Sequence, residues 1–321
     1  MPNFMLMARD VKRLMYEDSE QFVFPVNGLN GVESVACSFR YVSFMSRERF
    51  VDEYVLDLSG KSLLKTNTVA IVDVGEYRAL HKGALHLVAV NVLREFIGAM
   101  HAVCALIDIK KEGRVVISNS NVHEIEEGFV DFLTIFKDKN CEHFRKNVDI
   151  DMNMDTFLSY KNVHFWIDFL NRDISGRNEI GTKVNKLLEL SYYSSSSIHA
   201  YRRMNDWFIG LNYFFRDGKD INRNFITQKL SVIFDHILKN KCFENKFSKG
   251  FEDLYQRVRN DIMHGSLPEY DLSSVDVKDY YALKTIFNYL ICFTIEKNVA
   301  VSYKTTADLN SYLTSYRPKK D

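Results

Sequence analysis

From residue 122 onward, apolar side chains recur three and four residues apart, which is the spacing of one face of an α-helix. The clearest stripe contains Tyr201, Met204, Trp207, Phe208, Leu211, Phe214 and Phe215. Three further stripes follow it, at residues 226–238, 251–262 and 277–293. Helices with one apolar face each bury those faces against one another, so the sequence predicts a carboxy-terminal bundle of four or five helices.

The amino-terminal third mixes strand and helix patterns. Strands are predicted at residues 22–26, 35–41, 54–58, 68–74 and 115–117, where β-branched and aromatic residues cluster or alternate with polar ones. Helical spacing covers residues 76–109. Residues 1–125 are therefore expected to form a small α+β unit, and the fold class of the whole chain is expected to be mainly α.

A polar segment, Asn171–Gly181, contains two glycines and precedes the bundle stripes. It is the best candidate for a domain boundary, and a chain of 321 residues is long enough for two cores. We expect an α+β domain with a helical extension over residues 1–175 and a helical bundle over residues 176–321. The Ser194–Ser197 run is predicted to lead into the first bundle helix, with Ser197 as its N-cap.

The charge balance limits the classes of partner. Lysine plus arginine and aspartate plus glutamate each number 42, so the formal net charge is zero. Proteins that coat duplex nucleic acid carry a basic excess, which disfavours broad DNA binding but allows an RNA enzyme with a local basic patch. Five scattered cysteines without a Cys-x-x-Cys pair, and an amino terminus without a signal-peptide pattern, indicate a cytoplasmic protein.

Several chemistries are disfavoured at the level of motifs. The sequence has neither the phosphate-binding G-x-x-x-x-G-K-[ST] pattern nor a G-x-S-x-G elbow. His81 and His86 lack the H-E-x-x-H spacing of zinc helices, so we expect no metal and no cofactor. The apolar stretch Ala84–Ile109 contains charged residues and histidines, which favours a buried core helix over a membrane span.

The segment Arg259–His264, followed by Gly265, carries the strongest chemical signal. It lies at the end of the third stripe, where Gly265 and Pro268 predict the helix terminus. Arginine binds phosphate as a forked, permanently charged donor, and histidine moves protons near neutral pH. Together they suffice to cut RNA without a metal, because the 2′-hydroxyl supplies the nucleophile.

This Arg-polar-x-x-x-His pattern resembles the signature of the HEPN superfamily, whose helical bundles include many metal-independent ribonucleases. The segment Tyr201–Phe215 is similar to the first long helix of bacterial HEPN domains of the abortive-infection type. The resemblance covers about the last 130 residues. It implies an RNA substrate, a homodimer that brings two motifs together, and a toxin or phage-defence role in which the amino-terminal domain senses a phage trigger or an antitoxin.

The same resemblance implies a role for each motif residue. Arg259 would hold the phosphate and stabilise its transition-state charge, His264 would be the general acid or base, and Asn260 would orient the histidine or contact substrate. In a regular helix Arg259 and His264 diverge by about 140°. Either the last turn distorts, or a second copy of the motif completes the site.

Two alternatives stay open at this point. His264 could be a cation that favours the negative end of the helix dipole, worth about 0.3–1 kcal/mol, and the bundle could be a non-catalytic interaction module. Arg202, Arg203 and Arg257 are candidates for holding substrate RNA. For Arg202 and Arg203 the competing interpretation is a solvated helix face.

Overall fold

The computed structural model describes residues 21–32, 37–54, 68–77, 85–107, 116–117, 152–173, 176–197, 200–218, 223–237, 251–252, 254–256 and 277–316. These residues are mostly helical, which confirms the mainly α class. The chain divides into two compact units. The first contains residues 1–104 and 111–161, and the second contains residues 105–110 and 162–321. The division therefore falls before the polar segment Asn171–Gly181, which lies inside the second unit.

The first unit contains a five-stranded antiparallel sheet in the order β3-β4-β5-β1-β6. Its strands are β1 (Gln21–Asn27), β3 (Cys37–Ser38), β4 (Val42–Ser46), β5 (Thr68–Asp73) and β6 (Val116–Ile117). A separate parallel pair joins β2 (Leu29–Asn30) to β7 (Met152–Asn153). The predicted strands at 22–26, 68–74 and 115–117 are confirmed. Tyr54, placed in a strand by the sequence, instead ends helix α1 (Arg47–Tyr54).

Helix α2 (Leu85–Ile107) supplies apolar side chains to the core of this unit. Phe96 contacts Phe39 and Phe44 of the sheet region, at ring-centroid distances of 5.0 and 6.5 Å. By length and composition the segment Leu87–Ile107 could cross a membrane, but 67% of its most apolar window is buried inside the protein. Such burial is typical of a core helix. The charged residues in this stretch of the sequence favoured the same interpretation. Helix α3 (Met154–Leu158) completes the described part of the unit.

The second unit is a helical bundle. Its helices are α4 (Val163–Leu170), α5 (Glu179–Ser196), α6 (Ala200–Phe215), α7 (Arg223–Ser231), α8 (Val277–Glu296), α9 (Val299–Ser302) and α10 (Thr306–Ser315). A π-helical segment, Val232–Ile237, continues α7. Residues 251–256, described except for Asp253, form the helical turn that leads into the Arg259–His264 motif, and we call them the pre-motif turn. The bundle predicted from the stripes is confirmed.

Helices α5, α6 and α8 pack around Gly210 of α6. A Cβ atom at this position would lie 2.5 Å from the ring of Phe287 and 3.2 Å from Leu187. The absent side chain therefore lets the three helices approach closely. The apolar stripe of α6 faces this interior, since Met204, Trp207, Phe208, Leu211, Phe214 and Phe215 are all buried.

Helix α5 was not predicted, and the serine run belongs to its last turn. Ser194 and Ser195 are buried inside α5, while Ser197 is its C-cap rather than the N-cap of the next helix. Their hydroxyls donate to the carbonyl oxygens of Ser191 and Tyr192, at 2.8 and 2.7 Å. The serine run was predicted to start a helix because serine generally favours helix caps. Here the hydroxyl groups of Ser194 and Ser195 instead donate to backbone carbonyls of their own helix.

Candidate functional site

The pre-motif turn is anchored in the bundle through its apolar side chains. Phe251, Leu254 and Tyr255 are buried, as the stripe predicted. The Tyr255 hydroxyl donates to Asn212 Oδ1 at 2.8 Å, and its ring meets Phe208 edge to face at 5.4 Å. The pre-motif turn is therefore fixed against α6. Val258 and Ile262, from the same stripe, lie outside the described residues.

The motif residues themselves, Arg259, Asn260 and His264, lie outside the described residues, as does Arg257. Their assigned roles stay predictions. The last described residues before them, Tyr255 and Gln256, are π-helical. A π-helix pairs residues i and i+5, so its geometry departs from the regular helix on which the divergence of about 140° was calculated. Arg259 and His264 are five residues apart, so the angle between them depends on the local winding of the helix.

Arg203 lies in the interior of the bundle. It is 2% exposed, its Nε donates to the carbonyl of Ser197 at 2.9 Å, and its Nη1 donates to the Tyr280 hydroxyl at 3.1 Å. The guanidinium thus joins the end of α5 to the start of α8. The solvated-face interpretation is wrong for this residue, and a direct contact with RNA would require it to leave these partners. The placement supports a positioning role for Arg203.

Arg202 is exposed on α6, and its Nε donates to the Tyr201 hydroxyl at 2.9 Å. On a regular helix Arg202 lies about 120° from Phe208, which contacts the pre-motif turn, whereas Tyr201 lies within about 20° of Phe208. Arg202 itself thus points away from the pre-motif side of α6, but its bond to Tyr201 draws the guanidinium toward that side. Its role as an RNA ligand stays a prediction.

Asp206 is a titratable group that the sequence analysis missed. Burial raises the pKa of its carboxyl to about 7, and the positive charges of Arg202 and Lys186 only partly oppose the shift. A carboxyl that titrates near neutral pH can donate or accept a proton. Position 206 is three residues from Arg203 and four from Gly210, both of which are buried. Helical spacing could therefore have placed Asp206 at the edge of the buried face.

Among the residues that the structure describes, no three histidine, cysteine, aspartate or glutamate side chains gather into a possible metal site. The expectation of metal-free chemistry concerns the motif, so it stays a prediction.

Comparison of the chain with family models, curated proteins and solved structures finds no match.

Proposed function

We propose that this chain is a metal-independent endoribonuclease of the HEPN type, acting in the cytoplasm as a toxin or anti-phage effector. The observation that carries the proposal is the anchoring, within a helical bundle, of the pre-motif turn, which ends three residues before Arg259 in the sequence. Phe251, Leu254 and Tyr255 hold that turn against α6. A site that must position two groups on one phosphate benefits from a rigid helical support.

In the proposed reaction a base removes the proton of the RNA 2′-hydroxyl, and the resulting oxygen attacks the adjacent phosphorus. The bond from phosphorus to the 5′-oxygen breaks, and that oxygen takes up a proton. The products are a 2′,3′-cyclic phosphate and a 5′-hydroxyl. His264 transfers a proton, Arg259 stabilises the charge on the phosphoryl oxygens, and Asn260 orients the histidine or contacts substrate. Arg202 and Arg257 would hold flanking phosphates, with Arg203 positioning the helices around them.

The active form is proposed to be a homodimer. In one regular helix Arg259 and His264 would point in different directions. In a two-fold dimer, Arg259 of one chain and His264 of the other could still contact the same phosphate. Mixing Arg259→Ala chains with His264→Ala chains tests this arrangement. A composite site regains activity in the heterodimer, whereas a monomer that cuts RNA would contradict it.

The amino-terminal unit would sense a phage trigger or bind an antitoxin.

The decisive experiment compares wild type with His264→Ala on structured RNA, with and without EDTA. We expect wild-type cleavage to resist EDTA and the variant to be slower by roughly 10²–10⁴-fold, the usual contribution of a general acid or base. End-group analysis should find the cyclic phosphate. Arg259→Lys should be nearly as inactive as Arg259→Ala, because lysine lacks the planar fork. Full activity in folded His264→Ala protein, or no wild-type activity on any RNA, would favour the interaction module instead.

A further inference from the structure

One side of α6 is exposed along the length of the helix. Its exposed residues are Arg202, Ile209 and Tyr213, while every other residue of α6 is buried or half-buried. On a regular helix these three lie within an arc of about 40°. Arg216, the residue directly after α6, is exposed as well, and we call these four residues the outer stripe. The stripe has an arginine at each end, about 20 Å apart along the helix axis, with an apolar and an aromatic side chain between them.

The middle of the outer stripe offers apolar surface to a ligand. Ile209 is 43% exposed and Tyr213 is 39% exposed. The Lys183 ammonium lies 5.5 Å from the centroid of the Tyr213 ring, and the attraction between a cation and an aromatic face helps to hold the ring in place. Lys183 itself is held by the carbonyl oxygens of Phe214 and Arg216. Tyr213 is therefore an exposed ring with a restrained position, which lowers the entropy that is lost when a flat group stacks on it.

The charges along α6 favour an anionic ligand. Asp206 is the only acidic residue of the helix. Burial raises the pKa of its carboxyl to about 7, although the charges of Arg202 and Lys186 oppose the shift. In many molecules at neutral pH this side chain is thus uncharged, so it opposes the binding of an anion beside Arg202 only weakly. The charge of Asp217, the next acidic residue, acts on the Lys183 ammonium.

The same charges disfavour a second copy of this chain as the occupant. Two copies of the outer stripe related by a two-fold axis can run antiparallel or parallel. If they run antiparallel about Ile209, Arg202 of each chain lies opposite Arg216 of the other. If they run parallel, each arginine lies opposite its own copy. Like charges repel in both arrangements, so the homodimer proposed above uses another surface of the bundle.

A single strand of RNA matches the chemistry of the outer stripe. Its phosphates suit arginine, which binds them through the planar fork of the guanidinium. Its unpaired bases can stack on an aromatic ring, whereas a duplex keeps its bases inside the helix. An acidic peptide would pair with both arginines but presents no base to stack on Tyr213. The combination of cations and an exposed ring therefore favours the single strand.

The outer stripe runs beside the part of α6 that holds the pre-motif turn. Phe208 and Asn212 of α6 both contact Tyr255 of that turn. Ile209 follows Phe208 in the sequence and lies about 100° from it around the helix. A strand bound along the outer stripe would therefore lie on the same helix that anchors the pre-motif turn.

We propose that the outer stripe binds an unpaired stretch of the RNA substrate. Arg202 and Arg216 hold phosphates toward the two ends of this stretch, and a base stacks on Tyr213 beside Ile209. The assignment of the strand as a substrate rests on the proposed ribonuclease function, whereas the binding of single-stranded RNA does not.

The test uses the full chain with His264→Ala, so that cleavage does not interfere. A short labelled RNA without secondary structure, an RNA duplex of the same length and a polyglutamate peptide of the same charge are compared by fluorescence anisotropy. We expect the single strand to bind most tightly. Tyr213→Ala should weaken its binding about tenfold through the loss of one stacked base. Tyr213→Phe keeps the ring and is the matched control, so it should bind as tightly as the parent protein.

The two arginines are tested through the salt dependence of binding. For a single strand, each phosphate contact contributes about 0.7 to the slope of the logarithm of affinity against the logarithm of salt concentration. Combining Arg202→Gln with Arg216→Gln should therefore reduce the magnitude of this slope by about 1.4. Lys297→Gln removes an exposed cation directly after α8, outside the outer stripe, and should leave the slope unchanged. Urea unfolding checks that each variant is folded.

Two results would overturn the proposal. One is single-strand binding that is absent, or that the Tyr213→Ala and arginine variants leave unchanged. The other is equally tight binding of the duplex or of polyglutamate, which would point to another class of partner. Cleavage kinetics without the His264→Ala change separate the two proposals. Cleavage with the same KM in all outer-stripe variants refutes the stripe but leaves the ribonuclease. Stripe-dependent binding in a chain that cuts no RNA supports the stripe and refutes the ribonuclease.

Discussion

Two interfaces of the helical bundle differ in how they use space. Where α5, α6 and α8 meet, Gly210 permits close contact with Leu187, Leu190 and Phe287, all buried. Where α7, α10 and the pre-motif turn meet, polar side chains together with Val232 and Leu313 line an open cleft of about 370 Å³. The first interface stabilises the fold through packing. The second contains a buried lysine, Lys229, and the hydroxyl of Ser231, which has no hydrogen-bond partner.

The difference shows where this bundle is closely packed and where it is not. Each apolar contact in a closely packed interface stabilises the fold, and almost any change of side-chain volume there is destabilising. Polar groups that are buried without full hydrogen bonding act in the opposite direction. Such atoms occur at both interfaces, as Ser231 Oγ beside the cleft and as Trp207 Nε1 and Asn288 Oδ1 on α6 and α8. The interfaces therefore differ in how closely they are packed, and substitutions on either side can test this contrast.

The largest expected effect on stability comes from Asp206, a half-buried carboxyl on α6. Its pKa is raised from an ordinary 3.8 to about 7. The unfolded chain thus ionises at lower pH than the folded protein, so this group makes stability fall as pH rises from about 4 to about 7. Asp206→Asn removes the penalty. We expect a gain of about 2–3 kcal/mol at pH 8, since one pKa unit corresponds to about 1.4 kcal/mol and Asp206 keeps some contact with solvent.

Urea unfolding of wild type and Asp206→Asn at pH 5 and at pH 8 measures this effect. The free energy of unfolding of Asp206→Asn should exceed that of wild type by clearly less at pH 5 than at pH 8. At pH 5 the Asp206 carboxyl of the folded wild type is largely protonated. Asp168→Asn serves as the control for loss of one negative charge on the bundle. A pH-independent difference between wild type and Asp206→Asn would show that Asp206 ionises normally.

Gly210→Ala should be the next largest change, with a loss of about 1–3 kcal/mol in the free energy of unfolding. The added methyl group meets the Phe287 ring at 2.5 Å, so α6 and α8 must move apart. Gly176→Ala is the matched control, because the nearest atom to a Cβ there lies 3.8 Å away. Equal denaturation midpoints for both variants would contradict the close packing at Gly210.

The smallest effect is expected for Ser231→Ala. Removing a buried hydroxyl without a partner should stabilise the protein by up to about 1 kcal/mol, measured by thermal unfolding. Ser194→Ala is the control, since its hydroxyl donates to Ser191 and its loss should not stabilise. A clear loss of stability in Ser231→Ala would show that the hydroxyl has a structural partner, and would weaken the contrast between the interfaces.

The sequence predicted the elements whose burial follows a simple period. The stripe from Met204 to Phe215 predicted α6, and the β-branched run at residues 68–74 predicted β5. In each case one repeating pattern specifies both the type of element and its buried face. The apolar positions of the pre-motif turn, Phe251, Leu254 and Tyr255, were predicted by the same rule. The site assignment itself depends on Arg259, Asn260 and His264, which stay predictions.

The remaining features could not be predicted because they depend on distant partners. Lys183 and Lys229 occupy positions where a lysine would ordinarily face solvent. The Lys183 ammonium instead donates to the carbonyl oxygens of Phe214 and Arg216 at the end of α6, and Lys229 donates to Asn310. Helical spacing cannot indicate that a charged group will find unpaired carbonyls on another helix. The burial of Arg203, which donates to Ser197 and to Tyr280, has the same origin.

The start of α5 is held by the far end of the chain. The Asn178 side-chain amide donates to the carbonyls of Ala300 and Tyr303, and the Thr306 hydroxyl donates to Glu179 at 2.5 Å. The first of these contacts spans 122 residues of sequence. During synthesis, the start of α5 leaves the ribosome long before residues 300–306 exist, so these contacts form only after the whole of the intervening chain has been made. Any activity that requires the closed bundle would therefore be delayed on the ribosome until residues 300–306 had emerged.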